Sequence, residues 1–154
     1  MLPSEAVAMA FASGEYVSET AVKEFDIEAA ADRYIIPIAG RALYEAMLDG
    51  RYNDLKTNYV QPAVALGVRV LLQRQLNVRT GQMGLSLPAT TGSGTVAVES
   101  AADELQRSVR HRLQTLRKRL SDYLNDHADL FPEYEPRRNA LNRTRVDGGL
   151  VQIC

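Results

Sequence analysis

The chain has few of the residues that build covalent or metal-bound frameworks. Its 154 residues include one cysteine, Cys154, and two histidines, His111 and His127. A single cysteine excludes an intramolecular disulfide, so we expect the protein to be made in a reducing compartment. The two histidines are sixteen positions apart in one predicted helix and therefore cannot share a metal ion.

Tryptophan and long apolar runs are also absent. No run approaches the ~18 apolar residues that a membrane span needs. The short apolar run Ala6–Ala12 follows Glu5 and has no basic residue, so it does not predict a signal peptide. Because no run suits a bilayer, we expect no membrane partner. Seven tyrosines without a tryptophan predict no aromatic platform for nucleic-acid bases.

Catalytic motifs are missing as well. The chain has no phosphate-binding glycine loop, nucleophile elbow or zinc signature. The carboxylates of Asp122, Asp126 and Asp129 could cluster on one side of a helix, but polar surface is the simpler interpretation. Gly81–Gly84 fits the G-x-x-G loop that clamps nucleic-acid backbones, yet it contains no basic residue. We expect no enzymatic activity, no catalytic or metal site and no cofactor.

The charge is nearly balanced overall but unevenly distributed. The net charge is −1, with 45% hydrophobic and 24% charged residues, as in ordinary globular domains. Residues 1–100 contain 8 basic and 11 acidic side chains, and residues 101–154 contain 10 and 8. The small net charge therefore argues against nucleic-acid binding by the whole molecule. The mildly acidic residues 1–100 and the mildly basic residues 101–154 are complementary, which suits head-to-tail association of copies.

The strongest pattern present is a helix predicted over Ala101–Leu130. Its apolar stripe has steps of three and four residues and comprises Leu105, Val109, Leu113, Leu116, Leu120, Tyr123, Leu124 and His127. Ser100 is the predicted N-cap, and Pro132 is expected to end the helix. At ~1.5 Å per residue the helix is ~45 Å long, which is longer than the core of such a domain needs.

This helix also carries a basic stretch over residues 107–119. Arg110 and Arg117 flank one side of the apolar stripe, and Arg112 and Arg119 flank the other. The stretch is either a solvated face whose side chains cover the edges of the core or a docking surface for an acidic protein or nucleic acid.

Other helices are predicted at Ser4–Ala12, residues 18–36, Arg41–Leu48 and Tyr52–Leu76. Pro62 either kinks the last of these or occupies its first turn. Between residues 63 and 76 the apolar positions lie on every side, which predicts a central buried helix. We expect the part of the apolar stripe from Leu105 to Leu124 to pack against it.

Two segments do not fit a helical pattern. Residues 77–100 predict a projecting β-hairpin or extended loop, in which Arg79, Met83 and Leu85 are candidate contact residues.

Residues 135–154 predict an extended C-terminal tail. It ends in a strand containing Leu150, Val151 and Ile153, for which the nearby sequence offers no partner. We expect this strand to add to an adjacent subunit or other partner; a frayed terminus is the alternative.

The predicted fold is therefore mainly α. It is a small helical bundle built on two long helices, with a β-hairpin or extended loop between them and an extended C-terminal tail. Residues 1–134 form the helical domain, including the 77–100 projection, and residues 135–154 form the tail.

Four stretches in this order resemble one family of phage proteins. They are YIIPIAGRALY at 34–44, NYVQPA at 58–63, NVRTGQMG at 77–84 and YLNDHADLFPEY at 123–134. Together they resemble the phage head–tail connector (adaptor) proteins, including homologues from Bacteroides phages and prophages, over about residues 26–134.

The resemblance implies a structural ring subunit in the virion neck, assembled in the cytoplasm of the bacterial host. Such rings are commonly twelvefold. The implied partners are further copies of the chain, the portal protein and the next neck or tail protein, while packaged DNA passes through the channel without specific readout. The alternative function is a helical nucleic-acid-binding or regulatory module that uses residues 107–119.

Overall fold

A computed structural model describes residues 1–11, 21–76, 79–81, 84–86, 95–147 and 150–153. Side chains are described for residues 1–11, 21–73 and 103–143. The protein is mainly helical, as predicted. The helices are α1 (Pro3–Ala10), α2 (Glu24–Tyr34), α3 (Ile36–Ala39), α4 (Arg41–Leu48), α5 (Asn53–Leu55), α6 (Gln61–Leu76) and α7 (Thr95–Asp126). A π-helical turn, Lys56–Val60, joins α5 to α6, and 3₁₀ turns occupy Ala128–Leu130 and Pro136–Arg138.

Local sequence explains where the first helices begin and end. The Leu2 and Lys23 amides donate to the Glu5 and Asp26 carboxylates, each at 2.9 Å, and so satisfy free amides at the starts of α1 and α2. Between α3 and α4 the chain turns at Gly40, whose φ of +82° favours glycine. The predicted helix Arg41–Leu48 is confirmed.

The π-helical turn answers the question that Pro62 raised. Proline has no amide hydrogen and its ring crowds the carbonyl four residues earlier, so a regular α-helix cannot run through it undisturbed. Here the Gln61 amide bonds to the Lys56 carbonyl, five residues back, and Pro62 lies in the first turn of α6. The wider turn accommodates the proline without separating α5 from α6.

Helix α6 is the centre of the core, as predicted. Every residue from Ala63 to Arg69 is buried, and α6 contacts α1, α2 and α7. The close approach to α2 depends on Gly67, because a Cβ at this position would lie 2.8 Å from Cδ2 of Tyr34. Arg69 is buried on α6 and donates from Nη1 to the carbonyl of Ala10, at 2.7 Å, at the end of α1.

Helix α7 differs from the prediction at both ends. It begins at Thr95, five residues before the expected N-cap Ser100, and ends at Asp126, before the expected stop at Pro132. Phe131, which precedes Pro132, is non-helical (φ −125°, ψ 82°), as its position requires, but a 3₁₀ turn comes before it instead of further α-helix.

The apolar stripe of α7 packs against the core only in its middle. Val109, Leu113, Leu120 and Leu124 are at most 3% exposed. The predicted packing is wrong for the first member of the stripe, since Leu105 is 40% exposed. His127, beyond the predicted contact, is also exposed. The helical period identifies which face of a helix is apolar. It does not indicate how far along the helix the packing elements cover that face.

The predicted extended tail from residue 135 is wrong for its first nine residues. After the 3₁₀ turn Pro136–Arg138, Asn139 is fully buried, and the Ala140 amide donates to the Pro37 carbonyl at 2.8 Å. Asn139 donates from Nδ2 to Ser121 Oγ and to the Tyr134 hydroxyl, both at 2.8 Å. Buried hydrogen bonds thus hold this segment against α7.

Two antiparallel hairpins complete the described structure. Strand β1 (Arg79–Gly81) pairs with β2 (Gly84–Ser86), and β3 (Thr144–Asp147) pairs with β4 (Leu150–Ile153). The prediction that the last strand has no partner within reach is wrong. Only two residues separate β3 from β4, a length that favours a tight hairpin.

Among the described residues, no helix combines the length and hydropathy that crossing a bilayer would require.

Candidate interaction surfaces

The four predicted contact arginines of α7 fall into two classes. Arg110 and Arg112 are exposed, and neither has a carboxylate or aromatic partner among the described residues. Arg117 and Arg119 instead make contacts within the chain. The basic stretch is therefore not one continuous docking surface.

Arg117 caps helix α2. Its Nε donates to the carbonyl of Tyr34, the last residue of α2, at 3.1 Å, and its guanidinium lies 5.8 Å from the centre of the Tyr34 ring. A cation at this position satisfies a terminal carbonyl and complements the helix dipole. Partial burial lowers the pKa of the Arg117 guanidinium from its ordinary value. Arg69 caps helix α1 in a similar way. Its guanidinium donates to the carbonyl of Ala10, the last residue of α1, and lies 4.9 Å from the centre of the Phe11 ring.

Arg119 ends a ladder of stacked side chains. Its guanidinium lies 5.0 Å from the Tyr59 ring centre, Tyr59 stacks on Tyr123 at 4.3 Å, and Tyr123 stacks on His127 at 4.4 Å. The ladder joins the π-helical turn to α7, so Arg119 serves the packing of its own chain.

A polar cluster lies beside the end of α7. Arg51 forms an ion pair with Glu133, and the Tyr52 hydroxyl donates to the other carboxylate oxygen at 2.9 Å. The Glu133 backbone amide, the Tyr52 hydroxyl and the charge of Arg51 all lower the pKa of the Glu133 carboxyl. The same hydrogen bond is the main reason why the pKa of Tyr52 is raised. The cluster fixes the chain after α7 to the start of α5.

A groove of about 410 Å³ separates the outer faces of α2 and α4. Its rim carries Arg41 and exposed carboxylates from both helices, and the buried side chains of Ile27 and Ala31 lie at its floor. The rim carboxylates are Glu24, Glu28, Asp32 and Glu45, and the apolar lining also includes Met1 and Leu48. We call this the acidic groove.

The acidic groove has an excess of negative charge. Asp32 pairs with Arg41 at 2.8 Å, while Glu24, Glu28 and Glu45 have no cationic partner among the described residues. Tyr44 lines the same groove, where burial raises the pKa of its hydroxyl. The charges of Asp32 and Glu28 raise this pKa further, against the opposing effect of Arg41.

Sequence reasoning missed this groove although its signal was present. Glu24, Glu28 and Asp32 are spaced by four residues, which places them on one face of α2. What the sequence could not indicate is that a fourth acidic residue, Glu45 of α4, lines the same groove. That juxtaposition depends on the packing of two separate helices.

The remaining predicted contact residues, apart from Met83, lie on the strands of the two hairpins. Arg79 is opposite Ser86, and Leu85 is opposite Thr80, while Met83 lies outside the described residues. On the second hairpin Leu150, Val151 and Ile153 are opposite Asp147, Val146 and Thr144.

Metal-binding chemistry has no candidate in the described part of the chain. No group of three or more histidine, cysteine, aspartate or glutamate side chains is arranged there to hold a metal ion. His127 instead stacks on Tyr123, and its Nδ1 lies 3.0 Å from the Tyr123 carbonyl oxygen.

Comparison with known proteins assigns a family. The model of a family of unknown function, DUF6712, matches residues 28–144, which is most of the chain, so the protein belongs to this family. No curated protein and no solved structure matches the chain.

Proposed function

We propose that the chain is a structural virion protein, one subunit of the head–tail connector ring below the portal in a phage neck. In this role it has no enzymatic activity. Its partners are further copies of itself in a twelvefold ring, the portal protein and the next neck or tail protein. It assembles in the host cytoplasm, and packaged DNA passes through the ring without sequence readout.

The observation that carries the proposal is the exposed stretch Asp103–Ser108 in the first half of α7. The helix has 32 residues and is about 48 Å long at ~1.5 Å per residue. From Asp103 to Ser108 its side chains are exposed, except for the half-buried Gln106, and the first buried side chain described is Val109. A monomer gains little core from this part of the helix, whereas a ring subunit needs such reach to contact its neighbour.

The arrangement of the long helices supports the same role. We propose that α6 and α7 form the two-helix frame of the bundle and that residues 77–94 between them form an arm that contacts a neighbour or the portal. Leu105 and the charged side chains around it then lie at the base of this arm. Since Arg117 and Arg119 already bind Tyr34 and Tyr59, they are poorly placed to hold DNA phosphates, which favours a protein partner over nucleic acid.

Assembly of the purified protein tests the proposal directly. We expect negative-stain electron microscopy to reveal closed rings, and native mass spectrometry to give masses that are whole multiples of the 17.0 kDa chain. A protein that stays monomeric at every concentration, both alone and with the portal protein, would refute the ring role.

Deletion of residues 89–94 tests the arm. We expect this variant to keep the thermal midpoint of the wild type and to lose assembly. A control in which Ala89, Thr90 and Thr91 become glycine or serine, as residues 92–94 already are, distinguishes a need for length from a need for specific side chains. If the deletion unfolds the protein, these residues belong to the core and the arm proposal is wrong.

The neighbouring reading frames provide an independent test. Portal, capsid and tail genes on either side would support the neck role. A replication or transcription operon would instead favour the regulatory alternative.

A further inference from the structure

The acidic groove is an unfilled surface with both apolar and charged character. Leu48, at its edge, is 56% exposed, and three carboxylates on its rim have no cationic partner among the described residues. An apolar floor between acidic rims fits an amphipathic helix that carries an apolar residue beside a cation.

Such a helix face is present in this chain. Leu105 is 40% exposed, and Arg112 is exposed without a carboxylate or aromatic partner in the described part of the chain. Because the two residues are seven positions apart, they lie within about 20° of each other around α7, at ~100° per residue. The face formed by Leu105 and Arg112 therefore combines the two properties that the groove requires.

We propose that the acidic groove binds the Leu105–Arg112 face of α7 from a second copy of this chain. Leu105 packs on the apolar floor beside Leu48, and the Arg112 guanidinium binds the rim carboxylate of Glu28. This inference rests on the proposed ring and names the interface that builds it.

The geometry of this contact suits a ring. The groove and the α7 face are different surfaces of the same molecule, so the contact is heterologous. Each subunit binds one neighbour through its groove and the other neighbour through its α7 face. Repetition of such a contact closes into a ring when the rotation between subunits allows it. Nucleic acid is a poor competitor for the groove, since its phosphates would be repelled by the rim carboxylates.

Charge reversal on each side tests the contact in the full-length protein. The dissociation constant is measured by sedimentation velocity over a range of concentrations and at two salt concentrations. We expect Glu28→Arg and Arg112→Glu each to weaken self-association at least about tenfold, because each places like charges together. The double variant restores the opposite charges and should return to within about threefold of the wild type.

Arg107→Glu is the matched control. Arg107 is also exposed on α7, but it lies about 140° around the helix from Arg112, at ~100° per residue. The Arg107→Glu substitution changes the net charge of the protein by the same amount as Arg112→Glu and should leave self-association nearly unchanged. Circular dichroism verifies that each variant folds, and the neutral Arg112→Gln variant should give an intermediate loss.

The outcomes separate the two proposals. If the wild type assembles but the Glu28 and Arg112 variants behave like the Arg107 control, the groove is not the interface and only this inference is overturned. If the double variant is not rescued, the pairing of Glu28 with Arg112 is overturned. If the wild type fails to self-associate both alone and with the portal protein, the ring role and this interface are both refuted.

Discussion

Replacement of Asn139 by alanine measures how firmly the segment after α7 is held. Asn139 is fully buried, and its side chain makes three hydrogen bonds within the chain. Nδ2 donates to Ser121 Oγ and to the Tyr134 hydroxyl, and Oδ1 accepts from the Leu141 amide at 2.9 Å. Two of these partners, Ser121 and Tyr134, are at most 5% exposed.

The expected loss follows from these contacts. A hydrogen bond contributes about 1 kcal/mol net, and a buried partner left unsatisfied costs about 1–3 kcal/mol. The Tyr134 hydroxyl still donates to Asn125 Oδ1 at 2.7 Å after the substitution, which limits the damage there. We therefore expect Asn139→Ala to lower the free energy of unfolding by about 3 kcal/mol.

Asn142→Ala is the matched control, because Asn142 is in the same segment but exposed. Its amide bonds to Asn125 and to the Pro136 carbonyl are at the surface, where water replaces them, so the expected loss is below about 1 kcal/mol. Urea unfolding followed by circular dichroism gives both values, with an unchanged m-value as the check for two-state behaviour. Equal losses for the two variants would refute the claim that burial of Asn139 anchors this segment.

Three further predictions concern packing, pH and nucleic acid. Gly67→Ala should lower the free energy of unfolding by about 1–3 kcal/mol, measured in the same urea assay, because its new methyl group would overlap the Tyr34 ring. The pKa of Glu133 is lower in the folded state, so its contribution to stability is present above its ordinary pKa and is lost as the pH falls through the folded value. Glu133→Gln should therefore make the urea midpoint fall less steeply at acid pH than it does in the wild type. An equally steep fall in both proteins would contradict this prediction. The isolated protein should bind duplex DNA weakly and with a shallow salt dependence in fluorescence anisotropy, whereas a steep dependence would favour the nucleic-acid alternative.

Local patterns predicted the helical class and most of its elements. The apolar positions of Arg41–Leu48 and the all-round apolar character of α6 depend on residues close in sequence, and both predictions are confirmed. The middle of the α7 stripe was predictable for the same reason, since its period indicates which face must leave water. Helix ends were less predictable, as the start of α7 at Thr95 shows.

Residues 135–143 show why local patterns are insufficient. A polar, basic segment after a proline reads as an exposed tail, because asparagine is rarely buried without partners. Here the partners exist: Ser121 is eighteen residues away from Asn139 in sequence, and Pro37 accepts the Ala140 amide. A buried polar side chain becomes favourable only once the fold supplies its hydrogen bonds.

The sequence by itself determined which faces of the helices are apolar and that the long helix carries cations beside its stripe. Only the tertiary structure decided what those cations do. Arg117 meets a helix terminus 83 residues away, whereas Arg112, five positions earlier, meets none of the described carboxylates. Likewise, Glu45 of α4 lines the same groove as the carboxylates of α2 only in the folded chain. Periodicity gives the direction of a side chain relative to its own helix axis, but the charge or ring that it meets is set by packing between elements far apart in the sequence.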